Sequence, residues 1–242
     1  MKAADGLDPH IPDEVSVIAF GDVHGSLDKL QPLLARIEKR AADFPERRHV
    51  VVSLGNLIDR GSDSAGVVER LARGVVGCET VVLRGNHEQM MLDFVQDAAR
   101  AEAWLSNGGF DTLLSYGLDL HAITTESSGP HGLQRALLEN LPSEHLSFLL
   151  KTPLFLDLGG YFFVHAGVRP GIALEEQSPE DLLWIRDEFL QWKKPFDRKI
   201  VHGHTAVKTP VFSANRINLD TGACFGGPLS AVLFEGASAT LF

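Results

Sequence analysis

Apolar positions along this chain alternate between two periods. Short, largely β-branched runs at Val15–Phe20, Val50–Leu54 and Glu79–Leu83 read as strands, the first of them buried. Between them, Leu27, Leu30, Leu33, Leu34 and Ile37 recur at helical spacing over Ser26–Arg40, and Ser64–Arg73 repeats the pattern. Pro32 lacks a backbone donor, so irregular first turns are expected in that helix. A βαβαβ succession predicts a parallel sheet.

From His87 to Lys151 the period is helical throughout, first over Met90–Leu114 and then in Leu133–Leu141 and Ser143–Leu150. This block, about residues 88–151, is expected to be a helical insertion over the strand tips, its apolar side chains packing a core. Leu154–Leu158 and Tyr161–Val164 flank Gly159-Gly160 as a hairpin. Ser178-Pro179-Glu180-Asp181 supplies an N-cap, a proline at the first helical position and first-turn acids, for a helix carrying Trp184, Arg186 and Trp192. Strands at Lys199–Val201, Arg216–Leu219, Leu229–Glu235 and Ala239–Phe242 complete an α/β pattern of two packed sheets flanked by helices. Residues 1–14 read as a flexible N-terminus, and 15–242 as one domain, since no Pro/Ser-rich linker interrupts them.

Polar residues cluster just past the strands, where open α/β sheets build their sites. The tips are Gly21-Asp22-Val23-His24-Gly25, Gly55-Asn56-Leu57-Ile58-Asp59-Arg60-Gly61 and Gly85-Asn86-His87-Glu88, joined later by His165-Ala166-Gly167 and His202-Gly203-His204. Asp22, His24, Asn56, Asn86, His165 and His204 pool carboxylate, imidazole and amide groups, a set suited to Mn, Fe or Zn. Without cysteine among them, a structural zinc site is disfavoured. Two such ions can hold a hydroxide and clamp phosphoryl oxygens; arginines such as Arg60 and Arg186 match phosphate geometry. His87 can supply a proton to a leaving alkoxide, with Asp59 orienting it.

A formal charge of −10 argues against nucleic-acid polymers and anionic membranes as partners. Two cysteines, no apolar leader and no membrane-length apolar stretch predict a reduced, cytoplasmic protein.

In order, the tips resemble the GDxHG, GDxxDRG, GNHE, HAG and GHT signatures of the phosphoprotein phosphatase family of calcineurin-like metallophosphoesterases. That resemblance covers about Val15 to Glu235 and implies an αββα two-sheet fold and two divalent metal ions, with manganese favoured. It implies Asp22 and His24 as ligands of one ion, Asn86, His165 and His204 of the other, and position 56 as the bridge. Arg60 and Arg186 would bind phosphate; His87 with Asp59 would form the acid pair. The implied activity is hydrolysis of a Ser/Thr phosphoprotein or small phosphomonoester by metal-bound hydroxide. The segment Trp104–Tyr116 is also similar to diadenosine tetraphosphatases, which makes a dinucleoside polyphosphate the alternative substrate.

Two positions depart from the pattern. Asn56 stands where the family has aspartate. An amide cannot supply two anionic oxygens, although its carbonyl could face one ion; impaired turnover is expected, with an engineered inactivating change favoured over natural impairment. A phosphate or phosphopeptide binder without turnover is the alternative of another class. Asp220-Thr221-Gly222-Ala223 occupies the region of the Ser-Ala-Pro-Asn-Tyr stretch of eukaryotic protein phosphatases, which points to the bacterial and phage branch. Cys78 and Arg84 have cysteine-phosphatase spacing, but the residues between them form a strand, so Cys78 reads as a small core residue and Arg84 as a brace. Glu88 is expected to support a helix N-terminus, His202 to have a supporting role, and His10, His49, His121, His131 and His145 surface or structural ones.

Overall fold

The computed structural model describes residues 9–119 and 129–242. His121 therefore lies outside the described residues, as do residues 1–8 of the N-terminal segment. Residues 9–14 lie against the body: Ile11 is fully buried and its N–H donates to Gly236 O at 2.8 Å.

The parallel run is β1 (Val15–Phe20), α1 (Leu27–Asp43), β2 (Arg48–Ser53), α2 (Ser64–Ala72), β3 (Glu79–Val82) and α3 (Asn86–Gln96). Pro32 sits inside α1 without breaking it, because only one helical hydrogen bond lacks its donor. After α3 the chain forms α4 (Ala101–Trp104), a kink over Leu105–Gly109 in which Gly108 takes φ 105°, α5 (Phe110–Ser115), α6 (Gly129–Asn140) and α7 (Ser143–Leu150). The hairpin β4 (Phe155–Leu158) and β5 (Tyr161–Val164) follows as expected.

The helix begun at Ser178 is shorter than its sequence suggests. α8 (Pro179–Trp184) stops at Ile185, Arg186 turns with φ −131° and ψ −97°, and α9 (Asp187–Leu190) restarts. Ile185 enters the core behind β5, so a continuous helix could not also turn Arg186 towards Thr205. The remaining strands are β6 (Lys199–His202), β7 (Val211–Phe212), β8 (Arg216–Asn218), β9 (Ala231–Glu235) and β10 (Ser238–Leu241).

Two mixed five-stranded sheets result, ordered β10-β9-β1-β2-β3 and β4-β5-β6-β8-β7. Period-two alternation explains how they stack. Val17, Ala19, Val50 and Val52 face Tyr161, Phe163, Val201 and Ile217 of the other sheet. Ile18, Phe20 and Val51 pack outward on α1, α2 and the helices after β3, while Phe162, Val164 and Ile200 pack outward on α8 and α9. The parallel strands β1, β2 and β3 and their counterparts β5, β6 and β8 deliver their C-terminal tips to one edge. Among the described residues no helix is long and apolar enough to cross a membrane.

Candidate functional site

Each strand tip bends sharply on leaving its sheet. His24, Asn56, Asp59, Arg60 and His204 all have left-handed backbones, with φ between 46° and 73°, and every non-glycine residue of that kind among the described residues is a site candidate. Such conformations cost energy and persist only where surrounding contacts enforce them. Two glycines allow the loops to touch. A Cβ on Gly61 would lie 1.9 Å from His24 O, and one on Gly203 would lie 2.2 Å from Asp22 Oδ1.

Glu88 holds the second and third tips together. Its buried carboxylate accepts from the N–H groups of Gly85, Asn56 and Leu57, each at 2.8 Å. The support expected at its own helix therefore extends to the neighbouring loop.

Asp22, His24 and Asn56 form one half of the site. His24 Nδ1 donates to Ile58 O at 2.7 Å, which leaves Nε2 as an acceptor facing the site. The Asn56 amide is oriented by its neighbours: the His87 N–H donates to Oδ1 at 3.1 Å, and Nδ2 donates to Asp22 Oδ2 at 2.9 Å. In this arrangement a backbone donor engages the Asn56 carbonyl, and its NH2 group lies against the Asp22 carboxylate. Arg60 Nη1 also approaches His24 Nε2, at 3.1 Å.

Asn86, His165 and His204 form the other half. His165 Nδ1 donates to Leu54 O at 2.8 Å, and its Nε2 lies 2.8 Å from Asn86 Oδ1 and 3.1 Å from His204 Nδ1. His204 Nδ1 is 3.2 Å from Asn86 Oδ1, while its Nε2 is buried without a hydrogen-bond partner. Ligand atoms bonded to one ion at about 2.0–2.1 Å lie about 2.9–3.4 Å apart, so this triangle fits a cation. Burial pushes the His165 imidazole down, to about 4, and the His24 and His204 rings below their ordinary range, which keeps their lone pairs available. Among the described residues no three His, Cys, Asp or Glu side chains gather for one ion, since amides hold two of the six places.

His87 and Asp59 are paired, Nδ1 to Oδ2 at 2.7 Å, both fully buried. Burial pushes the Asp59 carboxyl up, to about 7, and the His87 imidazole down, so both shifts disfavour separated charges. Trp104 Nε1 at 3.0 Å and Thr112 Oγ1 at 2.6 Å hold the Asp59 carboxylate. These two were not singled out from sequence as site residues; the helical spacing around them signals only packing. Arg60 and Arg186 are exposed, and Arg186 Nη1 lies 3.3 Å from Thr205 Oγ1, beside His204. Asp220, at the tip of β8, adds another acid that burial and the nearby Asp22 push up to about 7. Its position after a parallel strand was the available signal.

The residues set aside behave as supports. Arg84 donates to Thr152, Gln89 and the carbonyl of Leu150, and burial raises the Cys78 thiol, which disfavours a thiolate. His145 bridges Tyr116 and Glu69, and His202 Nδ1 lies 3.1 Å from Gly203 O.

The sequence matches the calcineurin-like phosphoesterase family over residues 15–228. The chain belongs to that family. It is 30% identical to Serine/threonine-protein phosphatase 1 of Salmonella typhimurium over 219 residues, covering 88% of this chain and 89% of the relative. It is 26% identical to the asymmetrical bis(5'-nucleosyl)-tetraphosphatase PrpE of Oceanobacillus iheyensis over 234 residues, 89% and 87% of the two chains. A crystal structure named for diadenosine tetraphosphatase activity shares the fold with a TM-score of 0.64 at 22% identity, covering 96% of this chain and 95% of that one. Calcineurin-like phosphoesterases of this kind are dinuclear, metal-dependent phosphoester hydrolases, and this chain carries their fold of two mixed sheets between helices.

Proposed function

We propose that this calcineurin-like phosphoesterase is built to hydrolyse a Ser/Thr phosphoprotein or small phosphomonoester, and that Asn56 impairs it. The observation that carries this reading is the cradle of Asn86 Oδ1, His165 Nε2 and His204 Nδ1, spaced like ligands of one ion, directly beside Asp22 and His24. Divalent ions, manganese by preference, would supply Lewis acidity and activate a water there.

The chain's own groups do the rest. Arg60 and Arg186 reach the rim as planar donors for phosphate oxygens. His87 Nδ1 is paired with Asp59, and with the shared proton on the Asp59 carboxyl, which burial pushes up to about 7, the ring's own hydrogen sits on Nε2, from where it would pass to the departing alkoxide. At position 56 the inward-facing group is an N–H donor where a bridging ligand needs a lone pair.

Beside the site lies a groove of about 330 Å³ lined by Asp93, Arg100, Asn107, Glu180 and Trp184. Its two carboxylates against one guanidinium favour a peptide carrying basic side chains over the polyphosphate of a dinucleotide. The free thiols of Cys78 and Cys224 suit the reducing cytoplasm.

The test is turnover of a chromogenic phosphomonoester with added Mn²⁺, by this chain and by Asn56→Asp. A gain on the order of 10²-fold in Asn56→Asp is expected, by analogy with the loss of one preorganised transition-state contact. Equal rates would overturn the impairment, and no turnover by Asn56→Asp would overturn the enzymatic reading. Retained phosphopeptide affinity in that case would favour the binder.

A further inference from the structure

The two halves of the site differ in what their lone pairs face. In the half formed by Asp22 and His24, both inward acceptors are already met by donors. Asn56 Nδ2 lies 2.9 Å from Asp22 Oδ2 and 3.4 Å from His24 Nε2, and Arg60 Nη1 lies 3.1 Å from the same nitrogen. The amide cannot turn round to relieve this. Reversing it would set its NH2 against the His87 N–H and its oxygen against the Asp22 carboxylate, donor on donor and acceptor on acceptor. A cation placed there would have to displace a buried amide and lie next to a guanidinium.

The other half has the opposite imbalance. With Nδ1 donating to Leu54 O, the neutral His165 ring presents a bare Nε2 to Asn86 Oδ1 at 2.8 Å, two acceptors in contact. His204 adds Nδ1 within 3.2 Å of both. If Nδ1 carries the His204 hydrogen, the buried Nε2 is left as an acceptor without a donor. If Nε2 carries it, that N–H lacks a partner and three acceptors converge. One divalent cation resolves the convergence, and that tautomer leaves its lone pair on Nδ1 for the ion.

We infer, on the family reading of this site, that the chain holds a single divalent cation, in the cradle of Asn86, His165 and His204. The Asn56 amide and the Arg60 guanidinium take the place of the second ion, binding Asp22 and His24 through N–H groups. The family's dinuclear centre thus becomes a one-ion centre through a change of one side chain. Asn56→Asp reverses both causes: it removes the inward N–H donor and adds a negative charge that draws a second ion and competes for Arg60.

The count of ions tests this without reference to turnover. The purified chain is loaded with Mn²⁺ and desalted, and manganese is measured by elemental analysis with an electron paramagnetic resonance spectrum of the same sample. This chain should retain one Mn²⁺ with an uncoupled six-line spectrum. Asn56→Asp should retain two, with the spectrum of an exchange-coupled pair. Retention of two coupled ions by the chain carrying Asn56, or of none, would overturn the inference, as would a single ion in Asn56→Asp. Loss of the ion in Asp22→Asn with retention in His204→Ala would place it in the wrong half and overturn it equally. Failure of Asn56→Asp to hydrolyse phosphoesters would count against the proposed activity alone, since the ion count is read separately.

Discussion

The Glu88 carboxylate lies 2.8 Å from the Asn56 N–H, so an acid on α3 fixes the loop that leaves β2. The same carboxylate accepts from Leu57 and Gly85 and is wholly buried. Burial pushes its pKa up, against these hydrogen bonds. Losing it would strand several N–H groups away from water, each costing about 1–3 kcal/mol. Glu88→Gln keeps one acceptor oxygen and should lower stability by about 2 kcal/mol, with Glu88→Ala lower still. Urea unfolding checks this, and an unchanged midpoint in Glu88→Ala would remove Glu88 from its supporting role.

Trp104 and Thr112 grip the carboxylate that orients His87. Trp104→Phe keeps a ring to pack against Phe94, now at 5.2 Å, but deletes the N–H donor to Asp59. The expected cost is about 1–2 kcal/mol in stability. In the Asn56→Asp background, kcat should fall roughly tenfold with KM little changed, since the defect concerns proton delivery. Proton donation matters most for a poor leaving group, so an alkyl phosphate should lose more than a nitrophenyl phosphate. An equal loss on both, or a rise in KM alone, would contradict the assignment.

The first two strand tips were legible in sequence because β1 and nearly all of β2 are buried and read as unbroken apolar runs, so their ends are sharp. Asp22, His24, Asn56, Asn86, His165 and His204 do converge as those tips imply. The role of Asn56 was only half legible. Its identity announces a missing charge, but the direction of its amide is decided by the His87 N–H, a partner 31 residues away. The break before α9 was hidden for a similar reason. Nothing local in Trp184-Ile185-Arg186 forbids a helix; the burial of Ile185 in the core behind β5 decides it. Trp104 and Thr112 sit in a helical pattern that any core would produce, so their bonds to Asp59 exist only in three dimensions.

Acid should weaken one peripheral clamp in a defined direction. The Arg169 guanidinium binds Asp181 through Nε at 2.9 Å and Nη2 at 2.5 Å, and holds its carboxyl below the ordinary range, aided by Ser178. An unfolded aspartate titrates near ~3.9, so in the acid range the unfolded chain binds more protons through this residue. The contribution is therefore complete above the unfolded pKa and disappears as pH falls through the lower folded value. Arg169→Leu should lower the urea midpoint near ~pH 6, and the difference from the parent should close near ~pH 2. A gap that persists in acid would assign the loss to packing.

Charge in the groove beside the site should set substrate preference. Trp184 brings the groove to His204, their rings 6.3 Å apart, and Asn107 precedes Gly108, whose carbonyl accepts the Arg60 N–H at 3.3 Å. Asp93 and Glu180 outnumber Arg100, which already faces Asp97 at 3.9 Å. If Arg60 and Arg186 hold the phosphate, as proposed, the rest of the substrate would run along a net acidic wall. In the Asn56→Asp background, phosphopeptides with nearby lysine or arginine should show higher kcat/KM than acidic ones. Asp93→Asn with Glu180→Gln should narrow that ratio by roughly 3–10-fold, and added salt should do the same by screening exposed charges. A dinucleoside polyphosphate should be the poorer substrate, and should improve in the double variant as the carboxylates stop repelling it. Preferred cleavage of the dinucleotide by the parent, unmoved by the double variant, would place substrate selection elsewhere on the helices after β3.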